Sequence, residues 1–130
     1  MPGHNPVEIP VVTVTNVADG HSVETVILTL ANVSTPGEGS AVELYGVVNL
    51  TVGTNGVGAV VRVRRGSLTG ALIGTAQTDT VVATDKYTIP FNVSDGPVDE
   101  AGATYVVTVT ETSGTVNGTI NYASIGGIAF

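Results

Sequence analysis

Apolar residues recur along this chain in short runs, many of them at every second position, and each run is bounded by Gly, Pro, Asn or Asp. That is the pattern of β-strands separated by turns. The runs are Val7–Thr15, Val23–Ser34, Ala41–Val52, Ala59–Arg65, Leu72–Ala83, Tyr87–Val93, Thr104–Thr112 and Thr115–Ser124. No window of ten or more residues carries a 3.6-residue period, so no helix longer than a turn is expected. Eight short strands predict an all-β fold, an eight-stranded antiparallel β-sandwich of jelly-roll or immunoglobulin-like type. The even count favours the jelly roll.

The two faces of each strand sharpen this reading. In Thr104–Thr112, Tyr105, Val107 and Val109 share one face while Val106, Thr108, Thr110 and Thr112 share the other, the signature of a half-buried strand. In Val23–Ser34, Val23, Ile27 and Val33 fall on one face and Val26, Leu28 and Leu30 on the other, so neither is polar. In Ala41–Val52, Val42, Leu44, Val48, Leu50 and Val52 face one way, and Tyr45 and Val47 break the polarity of the opposite face. Apolar second faces need cover, either from other copies of the chain or from its own loops and N-terminal segment. Val26, Leu28, Leu30, Tyr45 and Val47 are the expected subunit interface.

The segment before Val7 holds Pro2, Gly3, Asn5 and Pro6, which sustain neither a helix nor a central strand. Residues 1–12 are therefore expected as an extended N-terminal arm and residues 13–130 as a single sandwich domain. Near the other end, Ile125, Ile128 and Phe130 are expected to pack rather than be solvated. A length of 130 residues suits one domain, and the mean hydropathy of +0.37 comes from Val and Ala rather than aromatics. The start of the chain carries neither a basic region followed by an apolar stretch nor a membrane-length apolar run. No membrane association is expected.

Charge and residue chemistry narrow the function classes. With 11 acidic against 4 basic residues and a net charge of −7, a nucleic-acid backbone is an unfavourable partner. There is no Cys and no Trp. The two histidines, His4 and His21, stand apart, and neither has a nucleophile context or the clustered ligands of a metal enzyme. No enzymatic activity, cofactor or metal is expected. Arg62, Arg64 and Arg65 hold three of the four positive charges, to be read either as a strand face paired with nearby carboxylates or as a docking point. Asp95, Asp99 and Glu100 read as a solvated acidic turn rather than a Ca²⁺ loop. Gly53-Thr-Asn-Gly-Val-Gly58 reads as a hairpin turn. The sequons at Asn32, Asn49, Asn92 and Asn117 read as chance matches.

The stretches Val42-Glu-Leu-Tyr-Gly-Val-Val-Asn-Leu-Thr-Val-Gly-Thr54, Val61-Arg-Val-Arg-Arg-Gly66, Leu72-Ile-Gly-Thr75, Tyr87-Thr-Ile-Pro-Phe91 and Ala101-Gly-Ala-Thr-Tyr-Val-Val-Thr-Val109 resemble a known group. They are similar to the tumour-necrosis-factor-like jelly-roll modules of tailed-phage virion proteins, in particular capsid decoration (head-stabilising) proteins. The resemblance spans roughly residues 40–125. It implies a homotrimer on the outer surface of a bacteriophage capsid, with itself and the major capsid protein as partners. On that reading Pro2, His4, Pro6, Ile9, Arg62, Arg64 and Arg65 are candidate capsid contacts. The alternative is a receptor- or carbohydrate-binding β-sandwich module of a phage fibre or a phage-derived bacterial protein. Sugar sites draw on aromatic platforms, and aromatic residues make up only 5% of this chain.

Overall fold

Eight strands form where the apolar runs stand: β1 (Val7–Ala18), β2 (Thr25–Val33), β3 (Ser40–Thr51), β4 (Gly58–Arg65), β5 (Ala71–Thr78), β6 (Lys86–Val98), β7 (Ala103–Thr112) and β8 (Thr119–Ala129). The computed structural model describes residues 6–20, 23–37, 39–53, 58–78, 85–98, 103–112 and 118–130. The strands make two antiparallel sheets, ordered β1-β8-β3-β6 and β2-β7-β4-β5. The pairs β1·β8, β2·β7, β3·β6 and β4·β5 are those of a long antiparallel ribbon folded back on itself and rolled up. This is the jelly-roll sandwich that the strand count favoured.

Inward side chains of both sheets interdigitate into one core. Val42, Leu44, Val48 and Leu50 of β3 and Ile120, Ala123 and Ile125 of β8 face Val61 and Val63 of β4 and Tyr105, Val107 and Val109 of β7. Gly46 takes an inward position of β3 because no side chain fits there. A Cβ would meet the Ser124 carbonyl oxygen at 1.9 Å and the Phe91 ring at 2.7 Å.

Strand β2 corrects the expectation of two apolar faces. Its pairing with β7 slips between Val26 and Leu28 and again between Leu30 and Val33. Each bulge changes which side the following residues face. Ile27, Leu28, Leu30 and Val33 therefore all enter the core, whereas Val26 is exposed. The second slip is accommodated at Asn32, whose φ of 57° lies in the left-handed region that Asn tolerates. Leu28 and Leu30, assigned above to a subunit interface, are core residues.

Three further expectations change. Val7–Val12 is not arm but the first half of β1, paired with β8, with a register slip between Ile9 and Val12. Pro10 is tolerated because β1 is an edge strand and the slip falls on it. Residues 1–5 lie outside the described residues. Strands β3 and β4, on either side of Gly53–Gly58, belong to different sheets and do not pair as a hairpin, and residues 54–57 lie outside the described residues. Strand β6 runs on through Asp95 to Val98, so Asp95 is not in a solvated turn, while Asp99 and Glu100 lie outside the described residues.

Charged side chains cover the outer face of the second sheet. Arg64 clamps Glu24 through two hydrogen bonds, Nε to Oε2 at 2.7 Å and a terminal nitrogen to Oε1 at 3.0 Å. Arg62 approaches the same carboxylate at 3.7 Å, and the Thr108 hydroxyl donates to it at 2.7 Å. The Arg64 hydrogen bonds, joined by Thr108 and the nearby positive charges, hold the Glu24 carboxyl at about 2, below its ordinary 4.5, against a burial effect that raises it. A second clamp ties the sheets together. Arg65 of β4 donates to Asp95 of β6 at 2.7 Å, and the buried Tyr105 hydroxyl of β7 donates to the same carboxylate at 2.7 Å. Burial alone would raise the Asp95 carboxyl; Arg65 and Tyr105 outweigh it and leave it lowered.

Two outcomes follow from this packing. Leu28→Ala should destabilise the chain by about 2–5 kcal/mol in urea unfolding, while Val26→Ala stays within about 0.5 kcal/mol. Equal costs would mean that the β2 bulges are misplaced. Because Glu24 titrates lower in the folded chain than in the unfolded one, its contribution is complete above about pH 4.5 and is lost as pH falls toward 2, and the lowered Asp95 carboxyl acts in the same direction. Unfolding free energy should therefore decline across that window, and Arg64→Met should flatten the decline.

Candidate functional site

The outer face of the β1-β8-β3-β6 sheet exposes Val11, Tyr45 and Tyr122. Its composition follows from register. Directly opposed residues share a face, and the pairings define rows across the four strands. One row runs Val11, Gly126, Tyr45, Asn92; the next runs Thr13, Ser124, Val47, Pro90; a third runs Thr15, Tyr122, Asn49, Thr88. Gly126 lies under Val11, whose methyl is 2.8 Å from where a Cβ would stand, so the valine spreads over β8 toward Tyr45. Val11 is 60% exposed, Tyr45 49% and Tyr122 41%. Together with Val47 and the exposed Pro90 they form an apolar, partly aromatic band.

Both ends of this band are polar. At one end Glu8 and Glu43 face outward, and the Ser94 hydroxyl donates to Glu43 at 2.6 Å. At the other, the Asn121 amide donates to Asn49 at 3.0 Å and to Thr51 at 2.9 Å, and the Asn49 amide donates to Thr88 at 2.9 Å. An apolar centre inside a polar rim, on a flat strand surface, is the anatomy of a contact surface. It offers shape and apolar area at its centre.

The residues expected to act separate accordingly. Tyr45 and Val47 lie on this face, and Val26 is exposed on the opposite sheet; Leu28 and Leu30 are in the core. Ile9 is also a core residue, Pro6 is exposed at the start of β1, and Pro2, His4 and His21 lie outside the described residues. Arg62, Arg64 and Arg65 are held by carboxylates, the paired alternative among the two considered. Val11 was missed because residues 1–12 read as an arm, and Tyr122 because no faces were assigned within the expected strand Thr115–Ser124. Their alternation with Val12 and Ala123 was the available signal.

A second feature sits at one end of the sandwich, where β1 and β7 stop and β8 begins. Asp19 and Glu111 are both buried, Glu111 completely. The Gly118 N–H donates to Asp19 Oδ1 at 3.0 Å, and the Gly53 N–H donates to Glu111 Oε1 at 2.8 Å. Burial pushes the Glu111 carboxyl up to about 7; its hydrogen bond and charge interaction with Asp19 add to the rise, and the Gly53 N–H opposes it. Sequence reading missed the pair although Glu111 is in phase with Tyr105, Val107 and Val109, the core face of β7. Among the described residues no group of three His, Cys, Asp or Glu side chains is placed to hold a metal.

No protein-family model and no curated protein matches the sequence. Solved structures do match in fold. A chain of the Gx strain of infectious bursal disease virus superposes with a TM-score of 0.55 at 12% identity, over 96% of this chain and 32% of the viral one. A chain of the T13 particle of the same virus gives 0.55 at 10% identity, over 99% and 35%, and one of the Gt strain gives 0.51 at 10%, over 93% and 35%. The chain spans about a third of the length of these viral chains. The likeness establishes the fold alone, a jelly-roll β-sandwich shared with these viral chains.

Proposed function

We propose that this chain is a non-enzymatic structural virion protein that binds the outer surface of a phage capsid as a homotrimer and stabilises the shell. One observation carries the reading: the exposed apolar band of Val11, Tyr45, Val47 and Tyr122 across the first sheet, while ion pairs lie over the centre of the second. Copies of the chain shield this band from one another. The major capsid protein is the second partner, and many small contacts per particle add through multivalency. Binding to the assembled shell then favours assembly by mass action. The fold shared with chains of a virus particle supports this reading.

A receptor- or carbohydrate-binding role is favoured by a different feature of the same face. Tyr45 and Tyr122 are exposed about four residues apart along β8, roughly 13 Å, a spacing that lets two rings contact successive parts of an extended ligand.

Light scattering on the purified chain should give a trimer mass. Tyr45→Glu should give monomers with an unchanged circular dichroism spectrum, its assembly weakened about 30-fold or more, the usual size for losing a buried interface tyrosine. The chain should co-sediment with capsids and Tyr45→Glu should not. A parent chain that stays monomeric at high concentration and does not pellet with capsids would refute the structural reading. Specific glycan-array binding lost in Tyr122→Ala would establish the second.

A further inference from the structure

We infer that Asp19 and Glu111 form a proton-operated latch that joins the two sheets at one end of the sandwich, closed while the pair shares a proton and released when that proton leaves. The inference starts from contact. Asp19 stands where β1 ends and Glu111 near the end of β7, so the two come from different sheets. Both are buried. A Cβ on Gly118 would collide with Glu111 Oε2 and meet Asp19 Oδ2 at 2.8 Å and the Thr51 carbonyl oxygen at 2.7 Å. The two carboxyl groups thus close over the bare Cα of Gly118 and hydrogen-bond directly to each other. An ionised carboxylate only accepts hydrogen bonds, so a bond between two carboxyl groups requires a proton on one of them.

Main-chain donors fix the far oxygen of each group. The Gly118 N–H reaches Asp19 Oδ1 at 3.0 Å, and the Gly53 N–H reaches Glu111 Oε1 at 2.8 Å. The Asp19 N–H in turn donates to the Gly118 carbonyl at 3.1 Å. The end of β1 is thereby tied to the start of β8, and the end of β3 to β7, and the shared proton links these halves. The opposite end of the sandwich supplies the contrast. There Asp95 of β6 meets Arg65 of β4 and the Tyr105 hydroxyl, a link between the sheets whose positive charge is permanent. No Lys or Arg among the described residues forms an ion pair with Glu111. Among the described residues, the other charged groups at this end are Asp85 and Lys86, exposed where β6 starts, and Glu24 and Arg62, which pair over the outer face of the second sheet. Burial, reinforced by Asp19, keeps the proton on Glu111 up to about pH 7. Above that pH two negative charges stand in contact with little water to screen them, and opening this end returns Glu111 to solvent.

The latch is read through the two amides it holds. Hydrogen exchange of the unaltered chain, corrected for the intrinsic pH dependence of exchange, is followed at Gly53 and Gly118. Gly66, whose N–H donates to the Thr104 carbonyl at 2.7 Å, reports on the opposite end. Because the closed state is the one that keeps the proton, the latch is complete below about pH 4.5 and is lost as the pH rises through 7. Protection of Gly53 and Gly118 should fall about 30-fold between pH 5.5 and 8.5, the linkage of a carboxyl that titrates at about 7 when closed and at its ordinary 4.5 when open, while Gly66 keeps its protection. Glu111→Gln offers Asp19 an N–H that does not titrate and keeps a carbonyl for the Gly53 N–H. Both amides should then hold at pH 8.5 the protection they have at pH 5.5. The variant also separates Glu111 from the His21 imidazole, a group type that titrates nearby at about 6.5. Unchanged protection of the unaltered chain across this range, an equal fall at Gly66, or a fall in Glu111→Gln that matches the parent would each overturn the inference. If the variant does not fold, the carbon-13 shift of the Glu111 carboxyl in the unaltered chain decides: a midpoint near 7 supports the latch, and one near 4.5 overturns it.

Discussion

Phase along each strand is the constraint on which the rest of this structure depends. A residue of a sandwich strand points either into the shared core or out of it, and a slip of one position exchanges the two sets. Where the alternation is unbroken, as in β3 from Val42 to Leu50, the core and the outer surface follow directly from the order of residues. Where it is broken, as at Ile27 and Asn32 in β2, the bulges recover a buried face from a sequence that looks apolar on both sides. The same rule sends Glu111 inward beside Val109, and so creates a buried carboxylate whose burial raises its pKa.

The two outer faces of the sandwich solve the exposure problem differently. On the second sheet the central strand β7 presents Val106 and Thr108, both buried. They are covered by the long side chains of Arg62 and Arg64 from β4, gathered over Glu24, whose aliphatic stems and paired heads shield the strand. On the first sheet the central strands β8 and β3 present Gly126, Ser124, Tyr45 and Val47, too short or too few to close the surface. The consequence is an asymmetric molecule, with ion pairs over the centre of one face, where Val26 and Leu72 stay exposed, and the other apolar at its centre. An acidic chain with few cations has spent three of them internally, which leaves apolar contact rather than charge as the means of holding a partner.

Polar groups inside the sandwich also divide by function. Asp95 is balanced by Arg65 and by the Tyr105 hydroxyl, which links β4, β6 and β7 across the two sheets and adds orientation to a core made of non-directional apolar contacts. Asp19 and Glu111 lie at the end of the barrel-like roll, held by glycine N–H groups. The first arrangement pairs opposite charges; the second brings two carboxylates together, and burial together with Asp19 raises the Glu111 carboxyl.

The eight strands, the all-β class and the outward position of Tyr45 and Val47 were legible in the order of residues, because period-2 alternation is a local property that each strand carries by itself. The place of Leu28 and Leu30 was not, since a bulge is fixed by the partner strand, here β7, and leaves no local mark beyond a doubled apolar pair. Nor was the placing of β3 and β4 in different sheets, since a glycine-rich segment serves a change of sheet as readily as a hairpin. Val11 and Tyr122 reach the same face only once β1 and β8 lie side by side. The sequence by itself determined which residues alternate and how many strands they make. Only the tertiary structure decided which alternating sets face each other and which distant charges meet, because those depend on pairing between segments far apart in the chain.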